Sequence, residues 1–124
     1  MRTEPGAPPV PAAPAARRVT AAEERQARYR VHAEICRVLT DPKRLMLIDL
    51  LRRGARSVGV LADECELSLA NTSQHLAVLR HAGLVDTRRV GTTIHYRLSE
   101  PELVQACDLI GRIVARRLGQ ETSS

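Results

Sequence analysis

Tryptophan and phenylalanine are absent from this chain of 124 residues, and with two tyrosines the aromatic content is only 2%. Sequence-tolerant binding of single-stranded nucleic acid relies on stacking bases on aromatic side chains, and almost no such platform exists here. The core must therefore be aliphatic, and hydrophobic residues at 44% supply enough material for one. No apolar run approaches the roughly 18–20 residues of a membrane span, and the N-terminus lacks the apolar centre of a signal peptide. The three cysteines are odd in number and widely spaced, unlike a secreted disulfide framework. A cytoplasmic protein with reduced thiols at rest is expected, with no membrane partner. A glycine-rich phosphate loop, a nucleophile elbow and a Cys–His pair at catalytic spacing are all missing, so no enzyme is expected.

What is present is positive charge. Lys and Arg number 19 against 14 Asp and Glu, a formal net charge of +5 with a pI near 9.9. That balance favours a polyanionic partner without proving one, and the shortage of aromatics argues for a duplex over a single strand. The length suits one domain. Residues 1–20 hold five of the seven prolines and many alanines, so a disordered tail is expected there and again over 119–124. Residues 21–118 are left for the folded domain.

That domain is organised around Ser57 to Val85, which reads as two short helices about a tight turn. Val58, Leu61 and Ala62 share a face of the first, and Leu67 follows in the turn. Ser68 is a good N-cap, so the second helix starts at Leu69. On it Thr72, Leu76, Leu79 and Gly83 recur at steps of four, three and four, the mark of a buried stripe. The opposite face carries Ala70, Asn71, Ser73, Gln74, Ala77 and Arg80, short or polar side chains suited to a major groove. His75 lies on the same helix and is counted with the DNA-facing residues. Gly83 supplies the left-handed residue that ends the helix.

A hairpin follows. Val85 to Arg89 and Thr93 to Leu98 are β-type runs around a Val90-Gly91-Thr92 turn. Ile94, Tyr96 and Leu98 alternate with Thr93, His95 and Arg97, so one face packs and the other meets solvent. Arg88, Arg89 and Thr92 are expected to contact the DNA backbone beside the groove. Helix, turn, recognition helix and basic hairpin together predict a mainly α fold with a β-hairpin wing, a winged helix-turn-helix.

Flanking helices complete the domain. One begins at Ala21 and presents Tyr29, His32, Cys36 and Leu39 as an apolar side, with Ile35 adjacent. Asp41-Pro42 breaks it and opens the next, where Leu45, Leu47, Ile48, Leu50 and Leu51 form the expected centre of the core. A last helix starts at Glu100-Pro101-Glu102 and reaches about Leu118, repeating Leu103, Ala106, Cys107, Ile110, Ile113 and Val114. The first and last helices carry more apolar surface than a monomer of this size covers. Pairing them in a symmetric homodimer buries it, and two recognition helices one DNA turn apart become available.

Three stretches, Leu39-Thr-Asp-Pro-Lys-Arg-Leu, Leu69-Ala-Asn-Thr-Ser-Gln-His-Leu-Ala-Val-Leu-Arg-His-Ala-Gly-Leu-Val and Gly91-Thr-Thr-Ile-His-Tyr-Arg-Leu, resemble the ArsR/SmtB family of bacterial repressors in both content and order. The resemblance covers roughly residues 25–118. It implies a homodimeric winged-helix repressor that leaves its operator when a metal, metalloid or thiol-reactive signal binds. The family's sensor motifs are altered here. Where arsenic and cadmium sensors place Cys-Val-Cys, this chain reads Ser57-Val58-Gly59-Val60. Where zinc sensors place Asp, His, His and Glu, it has Glu100, Glu102, Ile113 and Arg116, a poor zinc set. Asp49 stands where persulfide sensors carry the first of their cysteines.

The chain's own thiols remain as candidates for effector sensing, Cys36 and Cys107 on the helices expected at the dimer interface. His32, one turn before Cys36, and Asp108, next to Cys107, would complete a soft-metal site with them. DNA binding itself requires no cofactor, and a metal or metalloid enters only as an inducer. The expected function is a dimeric, sequence-specific DNA-binding repressor released by reactive sulfur, an oxidant, or a metal or metalloid. The competing reading is a winged-helix module that binds DNA or protein without any inducer.

Overall fold

The computed structural model describes residues 18–120. Their elements are, in chain order, α1 (Ala21–Val38), α2 (Pro42–Leu51), β1 (Arg56–Ser57), α3 (Val58–Cys65), α4 (Leu69–His81), β2 (Val85–Val90), β3 (Thr93–Leu98) and α5 (Leu103–Arg117). The expected tails fall almost wholly outside the described residues. The chain divides into two units, one ending at Ala33 and the other beginning at Glu34, so the division falls inside α1.

In the first unit, α1 starts with a reciprocal cap: Thr20 Oγ1 accepts from the Glu23 amide and Glu23 Oε2 accepts from the Thr20 amide, each at 3.1 Å. The Tyr29 and His32 rings stack with centroids 6.5 Å apart. Tyr29 is 66% exposed. In the second unit, α1 packs through Ile35 and Val38, with Leu39 just after it, while Cys36 is exposed. Of the side expected to be apolar, Leu39 packs on the core cluster, while Tyr29 and Cys36 stay exposed in the single chain. A helix this rich in arginine has several faces of similar hydrophobicity, and the neighbouring elements select among them.

Local signals set the other helices. Asp41 caps α2, its carboxylate accepting from the Lys43 amide at 2.8 Å, and Pro42 occupies the first turn. Leu47, Ile48 and Leu51 are buried from this helix. Ser57 caps α3, which buries Leu61, Ala62 and Cys65 and ends at Glu66 in a left-handed conformation, φ 53°. Leu61 and Cys65 join Leu47, Ile48 and Leu51 of α2, Leu76 and Leu79 of α4, and Leu84 and Val85 beyond it in one cluster. It is aliphatic apart from Cys65, as the composition requires.

The sheet holds one strand more than the hairpin. β1 pairs antiparallel with β3, Arg56 opposite Tyr96 and Ser57 opposite His95, so the order is β1-β3-β2. Two residues carry no readable alternation, and the long-range pairing with β3 is what makes them a strand. β2 runs one residue further than expected, to Val90 opposite Thr93, leaving a two-residue Gly91–Thr92 loop. Gly91 has φ +63°, a conformation that a side chain would strain.

α5 begins at Leu103, without a side-chain cap at Glu102, and buries no residue completely. Leu103 and Cys107 lean on the core cluster. Arg52, the C-cap of α2, ties the helix down: its guanidinium donates to both Asp108 oxygens, at 2.6 and 3.2 Å, and to Asp49 at 2.8 Å.

Candidate nucleic-acid interface

The recognition helix α4 is held from behind. Ser68 Oγ accepts from the Asn71 amide at 3.0 Å, and Thr72 Oγ1 donates to the Ser68 carbonyl at 2.9 Å. Thr72, Leu76 and Leu79 are all fully buried, so the stripe read from spacing is the packed one. At the far end the Leu84 amide reaches back to the Leu79 carbonyl, 3.0 Å, and the Gly83 amide to Arg80, 2.9 Å. Gly83 closes that turn at φ +79°.

With its back fixed, α4 presents Ala70, Asn71, Ser73, Gln74, Ala77 and Arg80 to solvent. Short polar side chains on a rigid helix, with one arginine near the end, can approach base edges without a conformational change. His75 departs from the expectation. It is half-buried and turned toward α2, where Arg44 Nη1 lies 3.5 Å from its Nδ1. Arg44 is itself anchored, its Nε donating to the Val38 carbonyl at 2.5 Å. His75 thus braces the recognition helix against α2 rather than lying on its outer face. The Asp41 carboxyl nearby is held below its usual range, first by the Lys43 amide and then by the charges of His75 and Arg44.

In the wing, strand pairing separates the two arginines. Arg88 lies opposite His95 and Arg89 opposite Ile94, so they sit on opposite faces of the ribbon. Arg89 shares the face of Ile94, Tyr96 and Leu98, the packed side, while Arg88 shares the outer face with Arg97 and Asp86. One backbone strand cannot receive both in the same way, as had been expected. Thr92 is exposed in the loop. Arg97 leans toward Asp86 at 3.9 Å. Among the described residues Arg80, Arg88 and Arg89 have no acidic partner, which leaves their charge available to phosphates.

Where α4 meets the wing there is an open cleft of about 490 Å³ lined by Ala77, Arg80, His81 and Tyr96. Of these Ala77 and Arg80 belong to the outward face read from sequence, and His81 had been given no part in it. His81 completes a line with Ala70, Gln74 and Ala77 at helical spacing, a signal the sequence does contain. Tyr96 reads as a core residue by alternation, and only its neighbourhood gives it a second role.

The candidate sensor residues lie elsewhere. Cys36 and Cys107 both line a cavity of about 410 Å³ between the end of α1, α2 and α5, together with Leu45, Ile48, Ile110 and Val114. Burial pushes the Cys107 thiol above its ordinary value, and the neighbouring Asp108 charge adds to this. The metal set His32, Cys36, Cys107 and Asp108 does not assemble. Among the described residues no three His, Cys, Asp or Glu side chains gather as a metal site would need. Asp108 is instead engaged by Arg52, which holds its carboxyl below the usual range. Cys65 is a buried member of the core cluster.

Known proteins share this architecture. A family model for a helix-turn-helix domain matches residues 39–88. An HTH-type transcriptional regulator of Mycobacterium tuberculosis is 33% identical over 96 residues, covering 77% of this chain and 84% of the relative. A biofilm growth-associated repressor of Xylella fastidiosa is 39% identical over 83 residues, covering 67% and 73%. The solution structure of a homodimeric winged helix-turn-helix DNA-binding domain from Mycobacterium bovis superposes with a TM-score of 0.70 at 26% identity, covering 82% of this chain and 94% of that one. Among the described residues no helix is long and apolar enough to cross a membrane. Fold, motif order and relatives agree that this chain belongs to the ArsR/SmtB family of winged helix-turn-helix transcriptional regulators, which are DNA-binding proteins and not enzymes.

Proposed function

We propose that the chain is a homodimeric, sequence-specific repressor that α1 and α5 hold together, acting on operator DNA in the cytoplasm. We infer further that a thiol-reactive signal, reactive sulfur or an oxidant, releases it through Cys36 and Cys107. The observation that carries this reading is the single cavity shared by the two thiols, on elements that join the candidate dimer face to the core. Ala70, Asn71, Ser73, Gln74 and Arg80 form the DNA face of α4, on which Gln74 reads base edges while Ser73 and Arg80 mostly hold phosphates, with Arg88, Arg89 and Thr92 on the wing. The similarity to a biofilm growth-associated repressor supports repression, and the homodimeric Mycobacterium bovis domain supports the assembly.

The chemistry follows from the cavity. Joining the two thiols as a disulfide releases two protons and passes two electrons to the oxidant; a polysulfide bridge forms when an inorganic polysulfide both inserts zero-valent sulfur between them and accepts the two electrons and two protons, leaving as hydrogen sulfide. Either bond ties α1 to α5. Because Arg52 links Asp108 on α5 to Asp49 on α2, a shift of α5 is felt by the helix that packs behind α4. Release needs only a few kcal/mol of differential affinity between the two states. A metal or metalloid is disfavoured, because its proposed ligand set does not gather and Asp108 is already paired.

The test is duplex binding by reduced protein, with fragments of its own promoter region, against polysulfide, peroxide, zinc and arsenite. Polysulfide or peroxide should release the wild-type chain, while Cys36→Ser and Cys107→Ser should bind normally and stay bound. If both variants are released like the wild type, the two cysteines are packing residues only. Transcription that rises with added protein would make the chain an activator.

A further inference from the structure

A helix lying in the major groove and a hairpin reaching the adjoining minor groove are separated by one sugar–phosphate strand. That strand has to pass between them. In this chain the gap between α4 and the wing is the cleft lined by Ala77, Arg80, His81 and Tyr96. Its chemistry fits the occupant that duplex geometry requires. No carboxylate lines it, and its polar side chains are all potential donors: a guanidinium, an imidazole and a phenol. Among the described residues none of the three has a hydrogen-bond or ion-pair partner, so a ligand would break nothing on arrival. The Tyr96 ring packs against the core cluster, yet its hydroxyl is neither buried nor bonded. Ala77 keeps the floor open. Arg89 shares the wing face of Tyr96, one cross-strand position away, and adds positive potential to that side.

We propose that this cleft seats one backbone phosphate of the bound duplex, with Arg80 and His81 donating from the recognition helix and Tyr96 from the wing. The inference rests on the DNA-binding reading of α4 and adds His81 and Tyr96, which have no place among the groove-facing residues, as partners of Arg80 at one phosphate. Its role is positional: a phosphate gripped from both elements at once sets the angle at which α4 enters the groove. Phosphate contacts carry no sequence information but fix register. The seat therefore acts on every duplex alike.

Fluorescence anisotropy with a labelled duplex of arbitrary sequence is the test, because the contact does not depend on the operator. Tyr96→Phe keeps the ring in the core and removes only the hydroxyl. It should weaken binding by about tenfold to a hundredfold, the range for a hydrogen bond to a charged group, with an unchanged salt slope. Arg80→Ala should lower the slope of log affinity against log salt by about 0.9. His81→Ala should weaken binding, and His81→Gln, which retains an N–H donor, should recover part of it. Ala77→Leu, an exposed change to another good helix former, should block the seat and weaken binding with little loss of thermal stability. If Tyr96→Phe and Ala77→Leu bind as tightly as the wild type, the phosphate does not sit there, and the DNA-binding reading of α4 stands without it. A folded wild-type chain that binds no duplex at low salt would overturn both.

Discussion

Ile110→Glu tests the proposed assembly, and its effect can be worked from the exposed face of α5. Leu109, Ile110, Ile113, Val114 and Leu118 are 58%, 60%, 44%, 47% and 63% exposed. Burying a whole side chain of this kind contributes about 1.5–3 kcal/mol, so covering the exposed part of Ile110 contributes roughly 1–2 kcal/mol. A symmetric dimer makes each loss twice, about 2–4 kcal/mol in all, or at least thirtyfold in Kd before charge is counted. The two carboxylates would then lose water without a partner, at several kcal/mol each. Together these exceed what a modest interface can absorb, and the chain should sediment as a monomer at micromolar concentration. Its own fold should survive, because α5 buries no residue completely. Sedimentation velocity over a concentration series, with thermal melting by circular dichroism as control, measures both. An intact dimer with an unchanged Kd would refute the α5 interface and leave the apolar face unexplained.

Three further outcomes are expected. Gln74→Ala should relax base preference by about 1–3 kcal/mol at the position it reads, and unchanged selectivity in both Gln74→Ala and Ser73→Ala would mean that α4 is not the reading element. Arg88→Ala and Arg89→Ala should differ in their effect on the salt slope, since the two side chains leave opposite faces of the wing; equal slopes would show that the ribbon turns over on DNA. Asp108 is held below its ordinary pKa of 3.8 by its hydrogen bonds to Arg52. A depressed folded-state value contributes stability above the unfolded value and loses it as pH falls through the folded one, so anchoring of α5 should weaken below about pH 4. Asp108→Asn should remove that acid-dependent component, as read by hydrogen exchange of α5 amides, and an unchanged acid profile would show that Arg52 does not hold the helix.

Much of the geometry of the candidate interface was legible because its determinants are local. Ser57 and Ser68 cap their helices through their own side chains, Pro42 suits a first turn, and Gly83 and Gly91 take positive φ where turns require it. The Thr72–Leu76–Leu79 stripe needs only helical geometry to become a buried back, and it leaves Gln74 and Ser73 outward. Alternation likewise placed Tyr96 and Leu98 on one face of the wing.

Only the tertiary structure decided the rest, because the relevant partners are far apart in the chain. β1 is too short to have a pattern and exists through its pairing with β3. His75 sits on a helix whose outer residues meet solvent, but Arg44, on a different helix, draws it inward. Asp108 beside Cys107 suggested a metal ligand, until Arg52, 56 residues away, claimed the carboxylate. Cys36 and Cys107 share a cavity, and Arg80, His81 and Tyr96 share a cleft, because of how the helices and wing pack. A one-dimensional pattern specifies which face of an element is apolar, but which side chains meet across a gap depends on the relative placement of elements, and that is set by the packing of the whole core.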